Sequence, residues 1–253
     1  MRPWRTLDSI ETPEGWLELR QRDERGFLIT IAGRVLMTSK AHRSEDELAR
    51  PVCAAMAGRA RARVLLGGLG MAYTLRAALD GLPRAARITV AEINPRVVAW
   101  CRGPLAGLTD GATTDRRVDV VVDDVARVIA RAPAGSFDAI ILDLYEGPHE
   151  ATCRAGDPLY GAQALERMRA ALAPGGVAAI WSEEADPPFE ARLASAGFRV
   201  ERVRAGSGGR RHIVYLGTRL HSIDLSHRPL PEDSRTPVLR RGEREKKPRR
   251  SHA

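Results

Sequence analysis

The densest group of chemically active side chains is the segment from Asp143 to His149. Within seven residues it holds two carboxylates, a phenol and an imidazole, at Asp143, Glu146, Tyr145 and His149. A carboxylate can accept a proton from a reacting nucleophile, and an acidic loop attracts cations such as amines. We therefore predict Glu146 as the general base and Asp143 as a positioning group. Tyr145 and His149 are second choices as catalytic residues.

A glycine turn followed by a distant carboxylate is typical of a nucleotide site. Gly67-Gly68-Leu69-Gly70 ends an apolar run, and Glu92 lies 22 positions after Gly70. Glycines let backbone N–H groups approach a ligand at a helix N-terminus, and an acid about 20 positions later can bind ribose hydroxyls. We predict that the three glycines and Glu92 bind a cofactor. Taken singly, the glycines also fit a tight turn, and Glu92 fits a carboxylate near a helix start.

Two further candidates, Asp123 and Asp124, follow another apolar run. A carboxylate at this point can accept hydrogen bonds from the exocyclic amine of adenine. Asp124 also fits the N-cap of the next helix, so the choice between the two stays open. Asp143 is included among the cofactor-binding residues because it too ends a strand.

The elements that must position these groups alternate between strand and helix from residue 63 onward. Such alternation predicts a mostly parallel, doubly wound α/β sheet, whose ligands bind beyond the carboxyl ends of the strands. We place a small β element at residues 1–42, the α/β domain at 43–225 and a basic, disordered tail at 226–253. Residues 43–60 are predicted to be a helix with Ser44 as N-cap and Glu47 completing a capping box. The predicted strands are WLELRQR, FLITIAG, VLMTS, RVLLGGLG (running into the glycine turn), RITVAEIN, VDVVVDDV, FDAIILDLYEGP (ending in a loop), VAAIWSEEA, FRVERVRA and RHIVYLGT.

Other nucleotide-binding classes fit less well. A nicotinamide-binding domain usually has G-x-G-x-x-G, whereas Met71, Ala72, Tyr73 and Thr74 follow Gly70. No Gly-Lys-Ser/Thr sequence is present, which excludes a P-loop. The combined order of glycine turn, ribose acid, adenine acid and acidic loop is the pattern that adenosyl-sulfonium transferases use.

The chain resembles the spermidine synthase-like group of the class I methyltransferase fold. The resemblance covers about residues 60–182, and the Leu159-Tyr160 pair adds to it. It implies that Glu92 holds the ribose, that Asp123 or Asp124 serves the adenine, and that the Asp143 loop faces the reacting centre. The residues that carry it are VLLGGLGMAYTLRAAL, ITVAEINPRVVAW, VDVVVDDV, FDAIILDLYEGP and DPLYGAQALERMRAALAPGG.

Three departures from that group concern the cofactor and the acceptor. Aminopropyltransferases typically read G-G-G-D-G-G, and Gly70 stands in place of that Asp. Glu146 replaces the catalytic Asp of the family, and residues 43–47 replace its polyamine-binding Tyr-His-Glu. Because an Asp would repel the carboxylate of S-adenosylmethionine (SAM), Gly70 tilts the prediction from decarboxylated SAM toward SAM.

The leading hypothesis is therefore a transferase that alkylates an amine or other small nucleophile, with methyl transfer slightly favoured. The alternatives are a true polyamine aminopropyltransferase using decarboxylated SAM, and a non-catalytic binding protein that kept the fold. The cofactor is predicted to be SAM or its decarboxylated form, with no metal. The N-terminal strands are a candidate surface for a homodimer.

Composition limits the other classes of partner. The chain has 253 residues, a net charge of +8 and 43% hydrophobic residues, enough for a sizeable core. Residues 226–253 hold nine Arg or Lys and four Asp or Glu, so most of the charge lies in the tail. The tail lacks aromatic residues, so nucleic acid is expected to bind unspecifically at most. No apolar run long enough to span a membrane and no signal-like start are present, and three Cys predict reduced thiols in the cytoplasm.

Overall fold

The computed structural model describes residues 2–149, 156–205 and 212–220. In this part of the chain, four strands form an N-terminal sheet, and seven strands form a second sheet with helices on both faces. The predicted tail at 226–253 lies outside the described residues. The strands are β1 (Arg5–Thr12), β2 (Gly15–Gln21), β3 (Phe27–Ile31), β4 (Arg34–Thr38), β5 (Arg63–Gly67), β6 (Arg87–Glu92), β7 (Val118–Val122), β8 (Phe137–Leu142), β9 (Leu172–Ser182), β10 (Phe198–Ala205) and β11 (His212–Arg219). The helices are α1 (Arg43–Met56), α2 (Tyr73–Gly81), α3 (Pro95–Arg102), α4 (Val125–Arg131), α5 (Ala162–Ala171) and α6 (Pro187–Ser195).

The N-terminal sheet is an antiparallel meander in the order β1-β2-β3-β4. Its central strands alternate apolar and polar residues, so one face is apolar. Leu17 pairs with Ile31 and Leu19 with Ile29, and all four side chains are buried. This face packs into the same hydrophobic cluster as α1, α2 and α3. The N-terminal sheet is therefore fixed against the larger one, and the proposed boundary at residue 42 remains a prediction.

The larger sheet has the order β10-β11-β9-β8-β5-β6-β7. Strands β5 to β9 are mutually parallel, and the antiparallel hairpin β10–β11 closes one side. Within this sheet, the chain begins at the central strand β5, continues through β6 to the edge strand β7, and then returns to β8 on the other side of β5. The order reverses between β5 and β8, where ligands of such sheets bind. The predicted doubly wound, mostly parallel α/β fold is confirmed.

One local prediction about a helix end is wrong. His42, not Ser44, is the N-cap of α1, and it makes no side-chain capping bond. The Ser44 hydroxyl instead donates a hydrogen bond to Glu45 at 2.6 Å, so the expected capping box does not form. The Pro-Gly-Gly segment after α5 lies inside β9, because the chain turns directly from helix into strand at Leu172. Pro51 lies inside α1 without ending it.

Asp138, at the start of β8, joins the larger sheet to the segment that follows α1. Its carboxylate accepts hydrogen bonds from the Arg63 backbone N–H at 2.9 Å and from the Arg59 guanidinium at 2.9 Å. Burial alone would raise the pKa of Asp138, but the bonds from Arg63 and Arg59 lower it below its ordinary value. Among the described helices, none is both long and apolar enough to cross a membrane.

Candidate active site

The carboxyl ends of four parallel strands bring the candidate residues to one edge of the sheet. Gly67 at the end of β5 lies in register with Ala91 on β6 and with Leu142 on β8. Glu92 is paired with Val122 on β7, directly before Asp123. The glycine turn, Glu92, Asp123 and Asp143 therefore line the same edge, as the sequence predicts.

The glycine turn depends on residues without a side chain at two positions. Gly68 has a φ of +87°, and a Cβ there would lie 2.3 Å from the carbonyl oxygen of Asp143. Gly70 has a φ of +52°, and its Cβ would lie 3.0 Å from the Met37 sulfur of β4. The backbone conformation and the Met37 contact therefore account for glycine at position 70. The electrostatic argument that Gly70 signals SAM loses its force, because the residue is required for a conformational reason.

Glu92 is 7% exposed and braces the glycine turn. Its carboxylate accepts a hydrogen bond from the Leu69 backbone N–H at 2.9 Å and another from the Asn94 N–H at 2.8 Å. Burial raises the pKa of Glu92, and these backbone bonds partly oppose that effect. The helix N-cap is Asn94 rather than Glu92. Glu92 thus holds the turn in place, and its role toward ribose stays a prediction.

The two neighbouring aspartates have different surroundings. Asp124 caps α4 by accepting a hydrogen bond from the Ala126 N–H at 2.8 Å, as its alternative role predicts. Asp123 forms ion pairs with Arg127 at 3.4 Å and Arg131 at 3.3 Å on the surface of α4. Both carboxylates are therefore engaged within the chain, and the choice between Asp123 and Asp124 for adenine stays a prediction.

Two exposed apolar side chains beside these acids were missed at the level of sequence. Ile93 is 71% exposed and Val122 is 51% exposed, although both follow or end strands of a buried sheet. They flank Glu92 and Asp123 in the chain. Exposed apolar side chains next to polar binding groups offer a surface on which an aromatic ring can pack. The sequence signal was present, since an apolar residue directly follows the acid at the end of β6.

Asp143 is the most perturbed carboxylate of this edge. The Thr74 hydroxyl of α2 donates a hydrogen bond to it at 2.5 Å. Burial raises the pKa of Asp143 to about 7, the Thr74 bond opposes this, and the nearby charge of Glu45 adds to it. Glu45, from the first turn of α1, is itself 7% exposed. Two carboxylates therefore share a buried region beside the glycine turn.

The loop that follows Asp143 docks on the end of β9. The Ser182 hydroxyl contacts the carbonyl oxygens of Pro148 and Glu184, at 3.3 and 2.6 Å. The Tyr160 hydroxyl donates to the Glu146 carbonyl at 3.1 Å, which fixes the backbone of the candidate base. The buried pair Leu159-Tyr160, noted in the sequence, thus positions this loop.

Tyr145 links this loop to the N-terminal sheet. Its hydroxyl donates a hydrogen bond to the carboxylate of Glu14, in the turn between β1 and β2. Burial and the Glu14 contact raise the pKa of Tyr145. A protonated phenol in this contact is suited to holding the loop rather than to accepting a proton, so its predicted catalytic role remains untested.

A cleft of about 710 Å³ opens between this loop and the segment after β9. It brings Glu146, Tyr145 and His149 together, as predicted, and adds charged groups that sequence reasoning did not select. No cluster of three or more metal-ligating side chains occurs in the described ranges. The added charged residues are Arg34, Glu183, Glu184, Asp186 and Arg192.

Comparison with known proteins supports one family. No protein-family model matches the chain. A polyamine aminopropyltransferase of Stenotrophomonas maltophilia is 30% identical over 205 residues, which cover 80% of this chain and 68% of the relative. The chain belongs to the polyamine aminopropyltransferase family. Another polyamine aminopropyltransferase, from Xanthomonas euvesicatoria, is 31% identical over 147 residues, and the alignment spans 57% of this chain and 50% of the relative.

Solved structures agree with the fold of this family. The spermidine synthase of Thermotoga maritima superposes with a TM-score of 0.67 at 18% identity, covering 85% of this chain and 72% of that one. A carbon methyltransferase superposes with a TM-score of 0.51 at 15% identity, covering 70% and 54%. The class I methyltransferase-like fold and the class of transferase are confirmed. The preference for methyl transfer is not supported, and the aminopropyltransferase alternative agrees better with these relatives.

We expect Asp143 to make the stability of the folded chain depend on pH. Since its pKa is raised to about 7 in the folded chain, the folded state keeps a proton that the unfolded state loses near pH 4. Its contribution to stability is full below about pH 4 and is lost as the pH rises through about 7. We expect Asp143→Asn to raise the free energy of unfolding at about pH 8 by on the order of 2–4 kcal/mol. Urea unfolding across the pH range measures this, with exposed Asp119→Asn as the control. Equal destabilisation by Asp143→Asn at all pH values would contradict it.

Glu92 is expected to be essential for binding an adenosyl-sulfonium ligand. We expect Glu92→Ala to weaken that binding about 10–150-fold, because hydrogen bonds to a charged group contribute on the order of 1.5–3 kcal/mol. Calorimetry measures the affinity, and thermal unfolding separately reports the loosened glycine turn. Asp119→Ala, an exposed carboxylate on β7, serves as the control. An affinity within twofold of the native protein would show that Glu92 does not contact the ribose.

Proposed function

We propose that this chain transfers an aminopropyl group from decarboxylated SAM to an amine. The observation that carries the proposal is the electrostatic repulsion between Asp143 and Glu45 beside the glycine turn. Neither carboxylate takes part in an ion pair within the described residues, and the charge of Glu45 opposes ionisation of Asp143. A region with one buried and one half-buried carboxylate favours a ligand that brings a positive charge and no negative one.

The two candidate cofactors differ in just this respect. Both carry the sulfonium and an ammonium, whereas SAM carries a carboxylate as well. Like charges about 4 Å apart repel by roughly 1–4 kcal/mol at effective dielectric constants of 80 to 20. The tail of decarboxylated SAM therefore suits the Asp143 and Glu45 region, while the carboxylate of SAM would add a third negative charge. Family membership supports the same cofactor.

The adenosine part fits the other residues of the sheet edge. Glu92 would accept hydrogen bonds from the ribose hydroxyls, the adenine ring would pack against Ile93 and Val122, and Asp123 would accept from its amine. Ile93 and Val122 supply the exposed apolar surface, and Glu92 already lies against the glycine turn. Each of these roles stays a proposal for this chain.

The reaction is a displacement at the methylene carbon next to sulfur. The lone pair of the acceptor nitrogen forms the new C–N bond, and the C–S bond breaks with its electrons moving to sulfur. The sulfonium leaves as the neutral thioether methylthioadenosine. A carboxylate accepts the proton released from nitrogen, and Glu146 is the best candidate because it lines the cleft next to the site. The chain otherwise contributes alignment of the two substrates.

Methyl transfer from SAM is the second candidate, since a carbon methyltransferase shares the fold of this chain. Direct comparison of the binding of the two cofactors separates the candidates.

We expect calorimetry to show tighter binding of decarboxylated SAM than of SAM. Glu45→Gln should weaken the binding of decarboxylated SAM about 5–20-fold, because it removes one of the two charges that attract the ammonium. The preference for decarboxylated SAM over SAM should therefore become smaller. Asp46→Asn is the matched control, since Asp46 is the next residue of α1 and contacts His42 at 3.5 Å on the surface. Tighter binding of SAM in the native protein would refute aminopropyl transfer and support methyl transfer.

Glu146 is expected to affect turnover without affecting cofactor affinity. Glu146→Gln removes the proton acceptor but preserves the shape of the side chain, so kcat should fall about 10²–10⁴-fold. Cofactor affinity should stay within twofold, because Glu146 lies in the cleft rather than at the glycine turn. Glu184→Gln, another exposed carboxylate of the cleft, is the control. If both variants keep native turnover, a different group accepts the proton.

A further inference from the structure

The two edges of the parallel sheet carry opposite charges. The carboxyl edge holds the acids of the proposed site, whereas two arginines lie within three residues of the start of each of β5, β6 and β7. Because these strands are parallel neighbours, their starts meet at one edge, which we call the amino edge. Its arginines are Arg61, Arg63, Arg84, Arg87, Arg116 and Arg117.

Three of these arginines stand side by side on neighbouring strands. Arg63 and Arg87 are directly paired in the register of β5 and β6. Ile88 pairs with Val118 on β7, and its N–H donates to the Arg117 carbonyl oxygen at 2.8 Å, which places Arg117 beside Arg87. Neighbouring strands lie only about 4.8 Å apart, and like charges in direct opposition are destabilising. The amino edge therefore carries a repulsion that a bound anion would relieve.

The acids of the chain neutralise only part of this charge. Arg63 pairs with Asp138 at 3.1 Å, and Arg117 pairs with Asp115 at 3.0 Å. The other four arginines of the amino edge have no carboxylate within ion-pair distance among the described residues. Four guanidinium charges therefore remain without an internal counter-charge in this part of the chain.

The dipoles of the neighbouring helices do not account for these four charges. Helices α1, α2 and α3 lead into β5, β6 and β7, so their carboxyl ends lie toward the amino edge. Each such end is equivalent to about half a negative charge. Together with exposed Asp119 of β7, the three helix ends offset about 2.5 charges, which is fewer than the four unpaired guanidiniums.

The side chains of the amino edge suit phosphates rather than an apolar partner. A guanidinium binds two phosphate oxygens at once, and a nucleic-acid duplex presents about one negative charge per 1.7 Å of its axis. None of the large apolar side chains that are exposed in the described residues lies at this edge. A membrane anchor, a stable protein interface and a single-stranded site each use such side chains. Exposed Ala60 and Ala85, next to Arg61 and Arg84, leave room for a phosphate backbone.

We infer that the amino edge binds the phosphate backbone of double-stranded nucleic acid without sequence preference. Guanidinium groups form ion pairs with the phosphates, and the counterions released from the duplex supply the free energy. The inference goes beyond the proposed function and does not depend on it, because the amino edge lies at the opposite ends of the strands from the glycine turn.

Fluorescence anisotropy of a labelled DNA duplex of about 20 base pairs, titrated with the full chain at about 50–200 mM salt, tests this inference. The amino-edge variant combines Arg61→Gln, Arg84→Gln and Arg116→Gln, whose side chains make no hydrogen bond or ion pair within the described residues. We expect its Kd at about 50 mM salt to rise at least tenfold. The slope of log K against log salt concentration should become shallower by about 3, since each lost phosphate contact removes about 0.9.

Two further variants separate the site from net charge. Arg5→Gln, Arg50→Gln and Arg204→Gln remove the same charge at exposed positions outside the amino edge, and their Kd should stay within threefold of the native value. Lysine at the three amino-edge positions keeps the charge and should preserve the salt slope. A native-like melting temperature and cofactor affinity show that each variant is folded.

The contradicting outcomes are distinct. An equal rise of Kd in the amino-edge variant and in the exposed control overturns the inference, because net charge would then explain binding. Binding that is lost with Arg241→Gln, Arg249→Gln and Arg250→Gln, but is native-like in the amino-edge variant, overturns it as well, because the tail would then be the site. Binding to phosphatidylserine vesicles without binding to the duplex would also overturn it. None of these results bears on aminopropyl transfer.

Discussion

The carboxylate of Asp143 lies where the main parts of the site meet. The backbone carbonyl of Asp143 lies where a side chain at position 68 would have to be, which requires Gly68. The Asp143 carboxylate accepts a hydrogen bond from the Thr74 hydroxyl of α2, and the charge of Glu45 in α1 adds to the rise of its pKa. Burial near a second carboxylate is costly unless a cation or a proton compensates. The free chain uses a proton, and the proposed ligand brings an ammonium. The glycine turn, the first turn of α2 and the start of α1 all lie around this one carboxyl group.

The edge of the sheet could be predicted from sequence because its signals are local. Continuous apolar runs identify the buried parallel strands, and the polar residues that end them must come together at one edge. This is why Gly67, Glu92, Asp123 and Asp143 lie as expected. The N-cap role of Asp124 could also be predicted, since N-capping depends only on neighbouring residues.

Other parts of the site depend on contacts that no local pattern encodes. Met37 approaches Gly70 across more than thirty residues, and Arg192 reaches the cleft from α6. The Ser44 motif predicted a capping box, but the hydroxyl found a closer partner in Glu45. Because Ser44 was predicted to be the N-cap, Glu45 was not selected as a site residue, and its importance depends on the distant Asp143. The electrostatic interpretation of Gly70 lost its support for a related reason, because the sequence does not show the positive φ that this residue adopts.

The hydrogen bond from Tyr145 to Glu14 joins residues that are 131 positions apart. One partner lies in the first turn of the N-terminal sheet, and the other lies in the loop that ends β8. The bond therefore connects the N-terminal sheet to the loop that lines the cleft. A substrate that binds only to the folded cleft would therefore stabilise the contact between the two sheets as well.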